Sequence, residues 1–135
     1  MELDNMIINN DVLEELSARA KANPRLRQSM DLRNSPEDLS HRMLNAVEPG
    51  TVVPIHRQPA KDESFVVLRG KVKVSTYDDS SVIESIVLCQ EEGRYGVDIP
   101  KNVWHNLESL ESRSVIIECK EGPFVPNEQD GWPSA

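Results

Sequence analysis

The stretch "GTVVPIHRQPAKDESFVVLRG", Gly50 to Gly70, decides how this chain is read. Two β-branched runs, "TVVPIH" and "SFVVLRG", flank the turn cluster Pro59-Ala60-Lys61-Asp62, the pattern of two strands joined by a short loop. His56 and Gln58 stand two apart at the end of the first strand, so their side chains leave the same face. Glu63 lies across the connection, on the next strand. A fourth group, His105, sits in "IPKNVWHNL", where Pro100 and Asn102 make a turn and the chain returns into a strand. Two imidazoles, a carboxylate and an amide oxygen would form an open first-row transition-metal site with positions left for substrate or oxygen. The plainer alternative is a set of polar residues at a barrel mouth. Gln58 has a further option, holding a metal-bound water.

Outward from this stretch the chain changes character near residue 48. After it, "SFVVLRGKVKVSTYD", "SVIESIVLCQ", "YGVDIP" and "SRSVIIECK" alternate with turn clusters at Asp79-Ser80, Glu91-Glu92-Gly93 and residues 108–111. Short strands at such spacing, with no helix between them, predict an antiparallel barrel or sandwich and argue against an α/β fold. In "KVKVSTYD", Val72, Val74 and Thr76 share one face and Lys71, Lys73 and Ser75 the other, as in a half-solvated strand.

Before residue 48 the sequence reads helical. Asp11 is a cap with Glu14 three residues on, and Leu13, Leu16 and Ala20 keep helical spacing until Asn23-Pro24. In "NSPEDLSHRMLNAV", Ser35 suits a cap, Pro36 the first helical position, and Leu39, Met43 and Leu44 one face. Two short helices are therefore expected, joined by a basic connection carrying Arg25, Arg27 and Arg33. Those arginines would suit a substrate carboxylate or phosphate; pairing with surface acids is the plainer account. The expected organisation is a single domain, with a helical segment over 1–47, a β-barrel over 48–126 and a tail over 127–135.

Composition excludes several classes. With 15 Lys+Arg against 23 Asp+Glu, the net charge of -8 repels a phosphate backbone and an acidic membrane surface. No apolar run approaches bilayer length, and the start "MELDNMIINND" lacks the basic-then-apolar order of a signal peptide; a cytoplasmic protein without nucleic-acid or membrane partners is expected. Cys89 and Cys119 lie in apolar strands and read as buried, inert thiols. His41, beside Arg42 on the second expected helix, reads as a surface or packing residue. Trp104 should face away from His105 as core or interface packing, and Arg57 should point away from the ligands flanking it.

The spacing resembles that of the cupins. Their first motif is a glycine, five residues, His-x-His, three or four residues, a glutamate, six residues and a glycine; here Gly50, His56-Arg57-Gln58, Glu63 and Gly70 stand at those positions. The second, built on Pro-x-Gly-x-x-His, is matched by Pro100 and His105, with Asn102 in place of glycine and Ser109 in place of a closing asparagine. The flanks "NPRLRQSMDLRNSPEDLSHRMLNAVEPGTVVPIHR" and "IPKNVWHNLESLESRSVIIECKEGPF" and the closing "GPFVP" are similar to the WbuC-type cupin metalloproteins found among polysaccharide-biosynthesis functions. The resemblance implies a mainly β fold, a small jelly-roll barrel behind N-terminal helices, holding a divalent metal (Zn, Fe, Mn or Ni) on His56, Gln58, Glu63 and His105. It further implies a small-molecule ligand and an isomerase, hydrolase or oxygenase acting on a sugar-derived or carboxylate-bearing substrate. Glu63 would turn acid/base group if the metal were lost.

The departure is Gln58, which stands where the family has a second histidine. An amide oxygen is harder and weaker than imidazole, so zinc or iron affinity should fall and manganese or magnesium tolerance rise. The alternative function is a non-catalytic binding or sensing barrel with a degenerate metal site. A homodimer is expected, since a small jelly roll has sheet edges to protect.

Overall fold

The computed structural model describes residues 6–123 and 130–133. Among the described residues one α-helix, α1 (Asn10–Ala22), precedes ten strands: β1 (Arg27–Asp31), β2 (Ser40–Val47), β3 (His56–Arg57), β4 (Glu63–Arg69), β5 (Val72–Tyr77), β6 (Val82–Leu88), β7 (Gly96–Ile99), β8 (Trp104–Ser109), β9 (Ser114–Glu121) and β10 (Asp130–Gly131). They form two antiparallel five-stranded sheets, in the orders β1-β2-β9-β4-β7 and β10-β3-β8-β5-β6.

The second expected helix is a strand. Residues 40–47 pair along their whole length with β9, and with β1 on the other side. Leu44 and Ala46 face α1, packing with Leu13, Leu16, Ala20 and Val115, while Val47 joins the barrel core. A period of two thus overrides the helical reading of Leu39, Met43 and Leu44, and Leu39 is exposed. Part of the basic connection is likewise a strand, β1, with Arg27 opposite Val47 and Arg25 and Arg33 just outside its two ends. The first helix stands, with Asn9 rather than Asp11 as its cap: the Asn9 side-chain oxygen accepts from the Val12 N–H. Asn23 and Pro24 end it as expected.

Gly70 separates β4 from β5 at φ 91°, where a Cβ would strike the Ser114 backbone, so only glycine fits this turn. The barrel core is Val47, Phe65, Val67, Val72, Val74, Leu88, Ile99 and Ile116, from both sheets. Cys89 is buried, but Cys119 is exposed, because its position on β9 is out of phase with Ile116 and faces away from the barrel. Of the expected tail over 127–135, residues 130–131 pair with β3 as β10; residues 127–129 and 134–135, like Phe124 to Pro126 of "GPFVP", lie outside the described residues.

Candidate metal centre

Strand pairing brings the motif residues together. His56 is directly opposite His105 on β8, and the two rings lie 4.5 Å apart between centroids. Glu63 opens β4 with its side chain on the inward face, in phase with Phe65 and Val67. One donor atom each from His56, Glu63 and His105 falls within 4.8 Å of the others. Glu63 and His105 are each 2% exposed, and Oε1 of Glu63 is 3.2 Å from Nε2 of His105.

Both imidazoles are oriented by main-chain oxygens. Nδ1 of His56 lies 2.8 Å from the Pro54 carbonyl, and Nδ1 of His105 lies 2.9 Å from that of Val103. A carbonyl only accepts, so each Nδ1 carries a proton, and in the neutral ring Nε2 is the nitrogen left with a lone pair. Burial holds the His56 imidazole neutral, below the usual histidine range, against the Pro54 hydrogen bond. Nε2 of His105 and Oε1 of Glu63 are buried without a hydrogen-bond partner. Buried polar atoms normally find partners, so two convergent orphan acceptors with fixed tautomers are what a metal ion would satisfy, and the donor set fits one.

Gln58 follows β3, is 6% exposed, and its carbonyl accepts from the Asn102 N–H, tying the first motif to the second. Trp104 faces away from His105 as expected; its indole N–H donates to Asp79, and the Arg57 guanidinium lies 4.3 Å above its ring.

Sequence reasoning missed the polar groups beside the triad. His41 is buried inside the barrel on β2, and neither ring nitrogen has a hydrogen-bond partner. Burial, with Lys120 and Arg33 nearby, holds its imidazole neutral, so the 4.0 Å approach of its Nε2 to Glu118 is not an ion pair. The Ser29 hydroxyl donates to Asn45 at 2.5 Å, Asn45 donates to Glu118 at 3.3 Å, and Lys120 lies 3.5 Å from Glu118. Burial, then the charge and hydrogen bond of Glu63, push the Glu118 carboxyl up to about 7 against the pull of Lys120. Glu63 itself is held below the usual carboxylate range: burial opposes its ionisation, but the adjacent His105 ring, the Glu118 carboxyl and the Lys120 charge outweigh it. Two touching carboxyls sharing one proton behave this way. The available signal was phase: Ile116, Glu118 and Lys120 alternate on β9, which puts two charged residues on the face of a core residue.

His56 and Glu63 open into a cavity of about 350 Å³, lined also by Phe65, Asn45, Glu118 and Arg27, among others. Arg33 instead grips Asp31 through two nitrogens and holds that carboxyl at about 2, the surface pairing expected of it. Among the described residues no helix is long and apolar enough to cross a membrane.

Comparison with known proteins bears on the fold. No curated protein matches the sequence. The capsular polysaccharide assembling protein CapF from Staphylococcus aureus superposes with a TM-score of 0.65 at 24% identity, over 77% of this chain and 29% of that one. An oxalate oxidase in complex with glycolate gives 0.59 at 14% identity, over 77% and 55%. The Schizosaccharomyces pombe Cnp3 cupin domain gives 0.54 at 13%, over 70% and 62%. The chain thus spans less than a third of CapF. A family model described as "Domain of unknown function (DUF6016)" matches residues 8–88, more than half of the 135. The chain therefore belongs to the DUF6016 family, and its barrel is a cupin fold.

Proposed function

We propose that this protein is a metal-dependent cupin enzyme acting on a small sugar-derived or carboxylate-bearing molecule, akin to the WbuC-type proteins linked to polysaccharide biosynthesis. One observation carries the reading: two imidazoles with Nδ1 tied to main-chain carbonyls and an orphaned carboxylate oxygen converge beside a cavity whose wall includes His56 and Glu63. His56, Glu63 and His105 would hold the ion, with Gln58 as the fourth ligand or the holder of a metal-bound water. A bound divalent ion supplies Lewis acidity toward substrate oxygens. The chain's own residues do the rest. The Pro54 and Val103 carbonyls orient the imidazoles, Phe65 and Ile116 shield one side from water, and Glu118 places a protonated carboxyl beside Glu63. Should the ion be absent, Glu63 is the acid/base candidate.

The replacement of imidazole by Gln58 favours a second reading, a barrel that binds or senses a small molecule without turning it over. The homodimer expectation finds support in β6, an outer strand with Val82 and Ile83 exposed; a cytoplasmic setting remains part of the proposal. Equilibrium dialysis against Mn²⁺, Fe²⁺, Zn²⁺ and Ni²⁺ tests the main reading. One ion per chain is expected, with affinity falling on the order of a hundredfold in His105→Ala and rising for zinc in Gln58→His. Substoichiometric metal that Gln58→His leaves unchanged would favour the non-catalytic reading.

A further inference from the structure

The molecule has nine arginines, and most are occupied. Arg19, Arg33, Arg42, Arg69, Arg94 and Arg113 pair with carboxylates, and Arg57 stacks on Trp104. Among the described residues, the side chains of Arg25 and Arg27 have no such partner, although the chain carries an acidic excess of eight charges. Where they sit matters. Arg27 lines the metal-centre cavity together with His56 and Glu63. Arg27 and Pro54 also line an adjoining hollow of about 380 Å³, whose walls include Arg25, Gly50 and Val52. Arg27 therefore stands in the wall of both spaces, with the candidate ligands His56 and Glu63 in the wall at one end and Arg25 in the wall at the other.

The strand order fixes how far apart these ends are. Arg27 is on β1 and Glu63 on β4, with β2 and β9 between them. Three strand spacings separate the backbones by about 14 Å along the sheet, less across the barrel's curve. A half-buried guanidinium in a cavity wall, without an ion pair among the described residues, is a fork for an oxyanion, which it can grip through two parallel hydrogen bonds.

We infer that Arg27, with Arg25 behind it, is the oxyanion subsite of this cavity, taking the carboxylate or phosphate group of a ligand whose other oxygens reach toward His56, Glu63 and His105. The inference deepens the proposed function and rests on it for the metal end only. It makes the ligand an anion of at least monosaccharide size, and it assigns the discrimination between charged and neutral sugars to Arg27.

Isothermal titration of the Mn²⁺-treated protein with glucuronate, glucose 6-phosphate, inorganic phosphate and glucose tests it, with bound metal measured on the same samples. Glucuronate or one of the phosphates is expected to bind and glucose not to. Arg27→Ala should weaken that binding by about tenfold or more, Arg27→Lys by less and Arg25→Ala by less again, all with unchanged metal content. Preference for the carboxylate over both phosphates, or the reverse, names the group. Equal binding of glucose and glucuronate, no binding of any anion, or an affinity unaltered in Arg27→Ala would each overturn the subsite. Loss of metal binding with Arg27-dependent anion binding intact would sink the metal reading and leave the subsite standing; stoichiometric metal with no anion binding would do the opposite.

Discussion

The barrel interior has two ends built by the same strands. On β2, Val47 belongs to the apolar core while Asn45 and His41, in phase with it, face the polar end; β4 runs from Val67 and Phe65 to Glu63, and β9 from Ile116 to Glu118. One end resembles any protein core, with close-packed aliphatics. The other holds five ionisable groups, His41, Glu63, His105, Glu118 and Lys120, whose side chains are mostly hidden from water. Burying such groups is costly unless they pair or bind an ion. The contrast teaches that the apolar end supplies the stability against which the polar end can keep unsatisfied donors and acceptors.

The largest expected effect breaks the apolar end alone. Leu88→Ala, in the core and not in the cavity wall, should cost about 2–5 kcal/mol in urea unfolding at unchanged slope, while the folded fraction still binds metal. At the polar end, metal should be the missing partner: a hundredfold excess over the dissociation constant should stabilise by about 2.7 kcal/mol, seen as a rise in Tm that a chelator reverses. His105→Ala should abolish that rise; a rise that persists would place the ion elsewhere.

A smaller effect comes from pH. His41 faces Glu118, Lys120, Glu63, Arg33 and Asp31, and is held neutral in the fold below its ordinary value of 6.5. Below pH 6.5 the unfolded chain therefore takes up a proton that the folded one refuses, so acid removes stability, and above 6.5 this contribution is constant. Between pH 7 and 5, His41→Leu should lose less stability than the native chain, by on the order of 1 kcal/mol. Equal slopes would show that His41 charges freely inside the barrel. The smallest effect belongs outside both ends: Arg57→Ala, which strips a cation from the Trp104 face, should cost no more than about 1 kcal/mol and leave metal affinity unchanged.

The sequence disclosed the triad because its spacing depends on covalent order: His56, Glu63 and His105 each fall at a strand end beside a turn, and turns are written locally in proline, asparagine and aspartate. It misread residues 36–47, where Pro36, Glu37 and Asp38 imitate a helix start while pairing with β9, far along the chain, imposes a strand. The same misreading hid His41 and Asn45, since a helix gives no reason to place them inside a barrel. Arg27 was legible only as one of three arginines suited to a substrate anion or to surface pairing; its pairing with β2 and its place in the cavity wall are what single it out. Local chemistry was legible, then, and the partners brought by long-range pairing were not.

The central claim is that two imidazoles and one carboxylate from three strands hold a single ion. Pulsed electron paramagnetic resonance of the Mn²⁺-loaded protein reads it most directly. Nitrogen couplings from two histidines are predicted in the native chain and from one in His105→Ala; a native spectrum without histidine nitrogen would contradict the account.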